Sequence, residues 1–119
     1  MPFITSAASL RRLPLFFAYC PDKAGMLSKR MEVRPTHLAR WSEEKDKGYG
    51  EFGSGYKPLN PSSSGGLEID GSLMIFRAET VEKAWEKIKT DVYWTEGIWD
   101  QDKVVVREFL ENPVFNDQA

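Results

Sequence analysis

Ser72-Leu73-Met74-Ile75-Phe76-Arg77-Ala78-Glu79-Thr80-Val81-Glu82-Lys83-Ala84-Trp85-Glu86-Lys87-Ile88 is the stretch on which the fold turns, because the spacing of its apolar residues changes in the middle. Leu73 to Phe76 is a short continuous apolar run, the pattern of a strand buried in a sheet. From Thr80 onward, Val81, Ala84, Trp85 and Ile88 recur at i, i+3, i+4 and i+7, which is one face of a helix. Thr80 suits the N-cap, where its hydroxyl accepts a backbone N–H that the first turn leaves unpaired. A strand over Ser72 to Ala78 therefore feeds a helix with those four residues on its buried face.

Working outward, Leu15 to Tyr19 is an apolar, aromatic run ended by Cys20-Pro21-Asp22, a strand followed by a turn. The next region reads as helix in two pieces, Met26 to Met31 and Pro35 to Lys47, with Pro35 taking the first helical position of the second piece. Leu38 and Trp41 share a face there, Glu43 to Lys47 form a solvated end, and Gly48 is the stop. Tyr49 to Tyr56 alternates small and aromatic residues and reads as a strand whose glycines admit a close neighbour. Lys57 to Asp70, rich in proline, serine and glycine, is a loop. The aromatic segment Val92 to Trp99 precedes a last strand over Lys103 to Phe109.

The order β-α-β-β-α-β predicts an α+β fold of the ferredoxin-like kind, a four-stranded antiparallel sheet with two helices on one face. The second face is left bare, and a second copy of the sheet is its natural cover, so a homodimer is expected.

The chain has 119 residues, a mass of 13.6 kDa, a net charge of -2 and a pI of about 5.5. That is enough for one core but not two, with residues 14–111 as the domain, 112–119 as a tail and 1–13 as a flexible extension or targeting segment. The charge balance offers no broad attraction to nucleic acid or anionic membrane, and the third strand lacks the basic and aromatic residues of an RNA-recognition module. No apolar run reaches the ~20 residues that cross a bilayer. Cys20, the one cysteine, excludes an internal disulfide and fits a reducing compartment; the cytoplasm is expected, with the mitochondrion as the alternative. It reads as a buried, inert thiol.

His37 is the only histidine. Histidine is the side chain whose charge changes near neutral pH, so acid–base chemistry in this chain has one natural centre. With Pro35 opening a helix, His37 would lie in the first turn, near the positive end of the dipole. One histidine and one cysteine do not make a metal site, and no cofactor motif is present: the glycines of Tyr49 to Tyr56 lack the Lys-Ser/Thr ending of a phosphate loop. No metal and no cofactor are expected.

Four features carry a resemblance to a known family. They are Arg30-Met31-Glu32-Val33-Arg34-Pro35-Thr36-His37-Leu38-Ala39-Arg40, Gly53-Ser54-Gly55, Asp70-Gly71-Ser72, and Asp91-Val92-Tyr93 followed by Glu96-Gly97-Ile98-Trp99. From Phe16 to Phe109 the chain resembles the YCII-related family of small α+β barrel proteins. The resemblance implies a ferredoxin-like fold, a dimer built by packing two sheets, and a histidine–aspartate pair in a cleft, mapping here to His37 and Asp91. It also implies cofactor-free lyase chemistry on small ring compounds. Val92 departs from the proline usual in the family, an extra residue stands near Asp100-Gln101-Asp102, and the 57–70 loop is this chain's own.

A carboxylate on one imidazole nitrogen fixes the tautomer and makes the other nitrogen the better base. Arg34, one turn before His37, suits an anionic oxygen or a surface ion pair; Ser72 suits a substrate oxygen or the backbone. Tyr93, Trp94 and Trp99 are candidates for an apolar pocket or for the core. The expected function is a small cofactor-independent lyase or isomerase acting on a cyclic or phenolic carbonyl compound. The alternative is an accessory protein that only binds a small ligand in the same cleft.

Overall fold

The computed structural model describes residues 13–63 and 65–111; the expected extension over 1–13 and the tail over 112–119 lie outside these, apart from Leu13. The elements are β1 (Leu15–Pro21), α1 (Leu27–Lys47), β2 (Gly50–Tyr56), β3 (Gly71–Arg77), α2 (Val81–Lys89), α3 (Val92–Thr95), a 3-10 turn (Gln101–Lys103) and β4 (Val105–Glu108). The strands form one antiparallel sheet in the order β2-β3-β1-β4. This is the α+β arrangement expected from the sequence.

Side chains alternate across the sheet, as the pleat requires. Phe16, Ala18 and Cys20 of β1 are buried opposite Phe76, Met74 and Ser72 of β3, in register. Ala84 and Ile88 of α2 and Ile98, Trp99 and Tyr93 beyond it complete this core. Gly71 faces Pro21 where a Cβ would stand 2.6 Å from the Cys20 carbonyl oxygen, so only glycine lets β3 begin this close to β1. The opposite face carries Phe52 and Tyr19, 55% and 43% exposed, with Val105 also exposed.

Several expectations need correction. The first helix is not two pieces: α1 runs unbroken through Pro35, starting at Leu27. Proline removes one N–H from the ladder. The helix persists because both sides of Pro35 are anchored, by Arg30, His37 and Glu44 buried at intervals of seven and by Val33 and Trp41 against the core. His37 is therefore not in a first turn near a helix end. It sits roughly three turns in from Leu27, beyond the reach of the terminal dipole.

Nor is the end of α1 wholly solvated. Glu44 is buried and paired with Lys87 of α2, while Gly48, with φ 96°, ends the helix as expected. On α2, Thr80 caps the helix by accepting from Lys83 N, but Val81 is exposed and Trp85 half-buried, leaving Ala84 and Ile88 as the fully buried pair. β4 is shorter than Lys103 to Phe109 because the 3-10 turn takes up Gln101–Lys103.

Candidate active site

α1 lies across the buried face of the sheet, and the connection after α2 brings Asp91 to its side. Asp91 is fully buried and caps α3, accepting from Tyr93 N at 2.8 Å. His37 Nδ1 lies 3.0 and 2.9 Å from the two Asp91 oxygens. Trp41 donates its indole N–H to Oδ2 at 2.5 Å, and Arg40 Nη1 stands 3.5 Å from the same oxygen. A carboxylate among these N–H donors can only accept, so Nδ1 carries the hydrogen, and in the neutral ring Nε2 is the nitrogen with the lone pair. Nε2 has no hydrogen-bond partner among the described residues.

The ring of Tyr93 stacks on the imidazole, centroids 4.0 Å apart and planes 13° from parallel, and Trp99 meets it edge-on at 6.2 Å. Both limit how the imidazole can turn. His37 lines a cleft of about 760 Å³ bounded by α1, β2, Met74 and Ser72 of β3, and residues 67–69 of the long loop.

A second buried cluster lies two turns along α1. Arg30 donates from Nη1 to both oxygens of Asp22, at 2.7 and 2.8 Å, and from Nη2 to Ser72 Oγ at 2.6 Å. Its guanidinium lies 4.5 Å from the Tyr93 ring centroid. Burial pushes the Asp22 carboxyl up, against the pull of Arg30, the usual balance for an ion pair removed from water. Trp99 donates to the same serine oxygen at 3.3 Å. Burial likewise raises the Cys20 thiol, followed by the charge of Asp91, so this sulfur stays protonated and inert, as the sequence reading held.

Of the residues singled out from sequence, His37, Arg34, Ser72 and Tyr93 share the cleft, with Asp91 behind His37. Trp99 does not line it; it is interior, between His37 and Ser72. Trp94 is elsewhere, meeting Trp85 at 6.3 Å in a shallow groove on the outside of α2. Sequence reasoning passed over Arg30, Asp22 and Trp41. The seven-residue spacing of Arg30 and His37 was the available signal, since two turns of helix return a side chain to nearly the same face. Among the described residues no three His, Cys, Asp or Glu side chains cluster as a metal site would need, and no helix is long and apolar enough to cross a membrane.

The fold and the buried pair define a ferredoxin-like α+β protein with a histidine–aspartate cleft. No family profile matches the chain. Protein YciI of Escherichia coli is 31% identical over 90 residues, covering 76% of this chain and 92% of that protein, and Protein YciI of Shigella flexneri matches equally. The chain belongs to the YciI family, as its motifs indicated. The Aspercryptin biosynthesis cluster protein B of Emericella nidulans is 29% identical over 93 residues, which span 77% of this chain but only 60% of that protein. Among solved structures, the 5-chloro-2-hydroxyhydroquinone dehydrochlorinase TftG of Burkholderia phenoliruptrix AC1100, in complex with 2,5-dihydroxybenzoquinone, superposes with a TM-score of 0.71. It is 20% identical and covers 84% of this chain and 97% of that one, a likeness of fold.

Proposed function

We propose that this chain is a small cofactor-independent lyase, or an isomerase using the same proton transfer, acting on a cyclic or phenolic carbonyl compound. The observation that carries the reading is His37: one nitrogen is held by a buried carboxylate, the other has no partner among the described residues, and the ring opens on a cleft. Nε2 takes the proton of a ring hydroxyl. The O–H electron pair becomes a C=O bond, the adjacent C=C pair shifts to form a new ring double bond, and an anionic group leaves from a tetrahedral ring carbon of the keto form; the imidazolium then returns its proton to that group or to water. Asp91 positions the imidazole and balances its transient charge, a contribution of the size general-base units provide, ~10²–10⁴-fold. Arg34, at the cleft, attracts the anion, and Ser72 holds a ring oxygen.

A dehydrochlorinase of the same fold, bound to a dihydroxyquinone, supports a ring substrate from which an acid is eliminated. The exposed aromatic sheet face supports a homodimer, and the single buried thiol suits the cytoplasm. Halogenated hydroxyhydroquinones, ring lactones and hydroxyketones, screened by absorbance, test the reading. Wild type should change the spectrum of a member of this set, and His37→Ala should bind it without changing it. Equal turnover by His37→Ala removes the base assignment; binding without turnover by either protein makes the cleft a ligand-binding site only.

A further inference from the structure

We propose that the inner end of the cleft, at Ser72, Arg30 and Tyr93, is a subsite for an unprotonated oxygen: a phenolate, an enolate or a quinonoid carbonyl of the ring. The inference rests on the reading of the cleft as a ring-substrate site and names what the ring must carry. A serine hydroxyl has two lone pairs and one hydrogen. Ser72 Oγ accepts from Arg30 Nη2 at 2.6 Å and from Trp99 Nε1 at 3.3 Å, which occupies both lone pairs. Only donation remains to it, and its hydrogen has no acceptor among the described residues. Ser72 is thereby an obligate donor on the wall of the cleft.

Two neighbours share the surplus. The Arg30 side chain is 4% exposed, yet its Nε–H has no acceptor, because Asp22 is engaged by Nη1 alone. The Tyr93 phenol has no hydrogen-bond partner among the described residues, and burial keeps it protonated above the ordinary tyrosine range. A buried donor without an acceptor, such as the Arg30 Nε–H, is rare in folded proteins, and beside it the unspent Ser72 hydrogen and the Tyr93 phenol, both of cleft-lining residues, call for an acceptor supplied by the ligand. The guanidinium polarises the Ser72 hydroxyl and makes it the stronger donor. Room is left by Gly55, where a Cβ would stand 3.3 Å from Arg30 Nη2 and 3.1 Å from Ile69 Cγ2.

The cleft thus has opposite chemistry at its two ends. His37 offers a lone pair at one, and Ser72 with its neighbours offers protons at the other. Arg30 and His37 are seven residues apart on α1, about 10.5 Å along the axis, with the Tyr93 ring close to both. A six-membered ring with oxygens on opposite carbons spans such a gap. It would lose a proton to His37 while negative charge settles on the oxygen at Ser72.

The test titrates the full chain at neutral pH with 2,5-dihydroxybenzoquinone, whose ring oxygens accept, and with 1,4-diaminobenzene, whose ring substituents donate. Wild type should bind the quinone and show no measurable affinity for the diamine. Ser72→Ala should weaken quinone binding roughly ten- to hundredfold, the range for losing a charge-assisted hydrogen bond. Gly55→Ala, which narrows the subsite and removes no donor, though its Cβ crowds Arg30 Nη2, should weaken it severalfold. Quinone affinity within twofold of wild type in Ser72→Ala, or no quinone binding by wild type, overturns the subsite. Weakened binding in Ser72→Ala with no turnover of any ring compound by wild type supports the subsite and removes the lyase reading. Turnover that depends on His37 but not on Ser72 does the reverse.

Discussion

His37 and Trp41, four residues apart on α1, both reach the carboxylate of Asp91, the imidazole at 2.9 Å and the indole at 2.5 Å. One turn of helix thus presents two donors to a single acceptor, and the pitch of α1 sets where the carboxylate stands. Trp41→Phe removes the indole N–H and the second ring while keeping one aromatic ring toward Phe76. We expect it to lower kcat about tenfold with little change in KM, and to cost ~1.5–3 kcal/mol of stability as a hydrogen bond to a charged group. Steady-state kinetics and urea melts check both; an unchanged kcat would mean that Asp91 needs only its other donors.

Asp91 should matter more to folding than His37 does. Its carboxylate accepts from Tyr93 N, Trp41 and His37 in a fully buried position, so Asp91→Ala strands several donors at once. A loss of ~3–5 kcal/mol is expected, the range for breaking a buried charged pair. His37→Ala, at the cleft wall, should cost no more than about half of that, since water can replace the ring. Denaturant titrations of the two variants decide it, and equal losses would contradict the picture of Asp91 as the hub.

Stability should fall in alkali through the phenols. Burial raises Tyr56 and Tyr93 above the ordinary tyrosine value of 10.0. An unfolded chain releases these protons near 10 while the folded chain retains them. The stabilisation is therefore fully present below pH 10 and is lost as the pH climbs through the raised folded values. Absorbance at 295 nm should show late-titrating phenols in the native protein, with one late step removed by Tyr93→Phe. Full tyrosine titration near the ordinary value before any loss of helical signal is the contrary result.

The open sheet face predicts the assembly. Phe52 and Tyr19 stand exposed beside Val105 on the side away from the helices. Sedimentation at micromolar concentration should give twice the 13.6 kDa of one chain, and Phe52→Asp should shift the equilibrium toward monomer. A wild-type monomer at that concentration would sink the dimer.

The loop between β2 and β3 should separate folding from binding. Leu59 is 93% exposed, whereas Leu67, Glu68 and Ile69 line the cleft. Replacing residues 58–66 with a short glycine-serine turn should leave the melting temperature nearly unchanged, because closure entropy varies slowly with loop length. Removing residues 67–69 as well should weaken ligand binding. A drop of several degrees in the shorter replacement would show that the loop tip packs on the core.

Local pattern was enough for the strands, the cap at Thr80, the stop at Gly48 and the βαββαβ order, because each depends on neighbours within a few residues. The family motifs added the meeting of His37 with Asp91, 54 residues apart. The unbroken α1 was not legible, since the buried stripe that carries it past Pro35 consists of Arg30, His37 and Glu44, polar residues that apolar periodicity does not register. They can be buried only because Asp22, Ser72, Asp91 and Lys87, supplied by other elements, satisfy them. For the same reason tertiary packing alone could separate Trp99, Trp94 and Trp41. Trp99 went to the core, Trp94 to the outside of α2 and Trp41 to Asp91, because an indole's place follows from what its N–H and faces find across the fold.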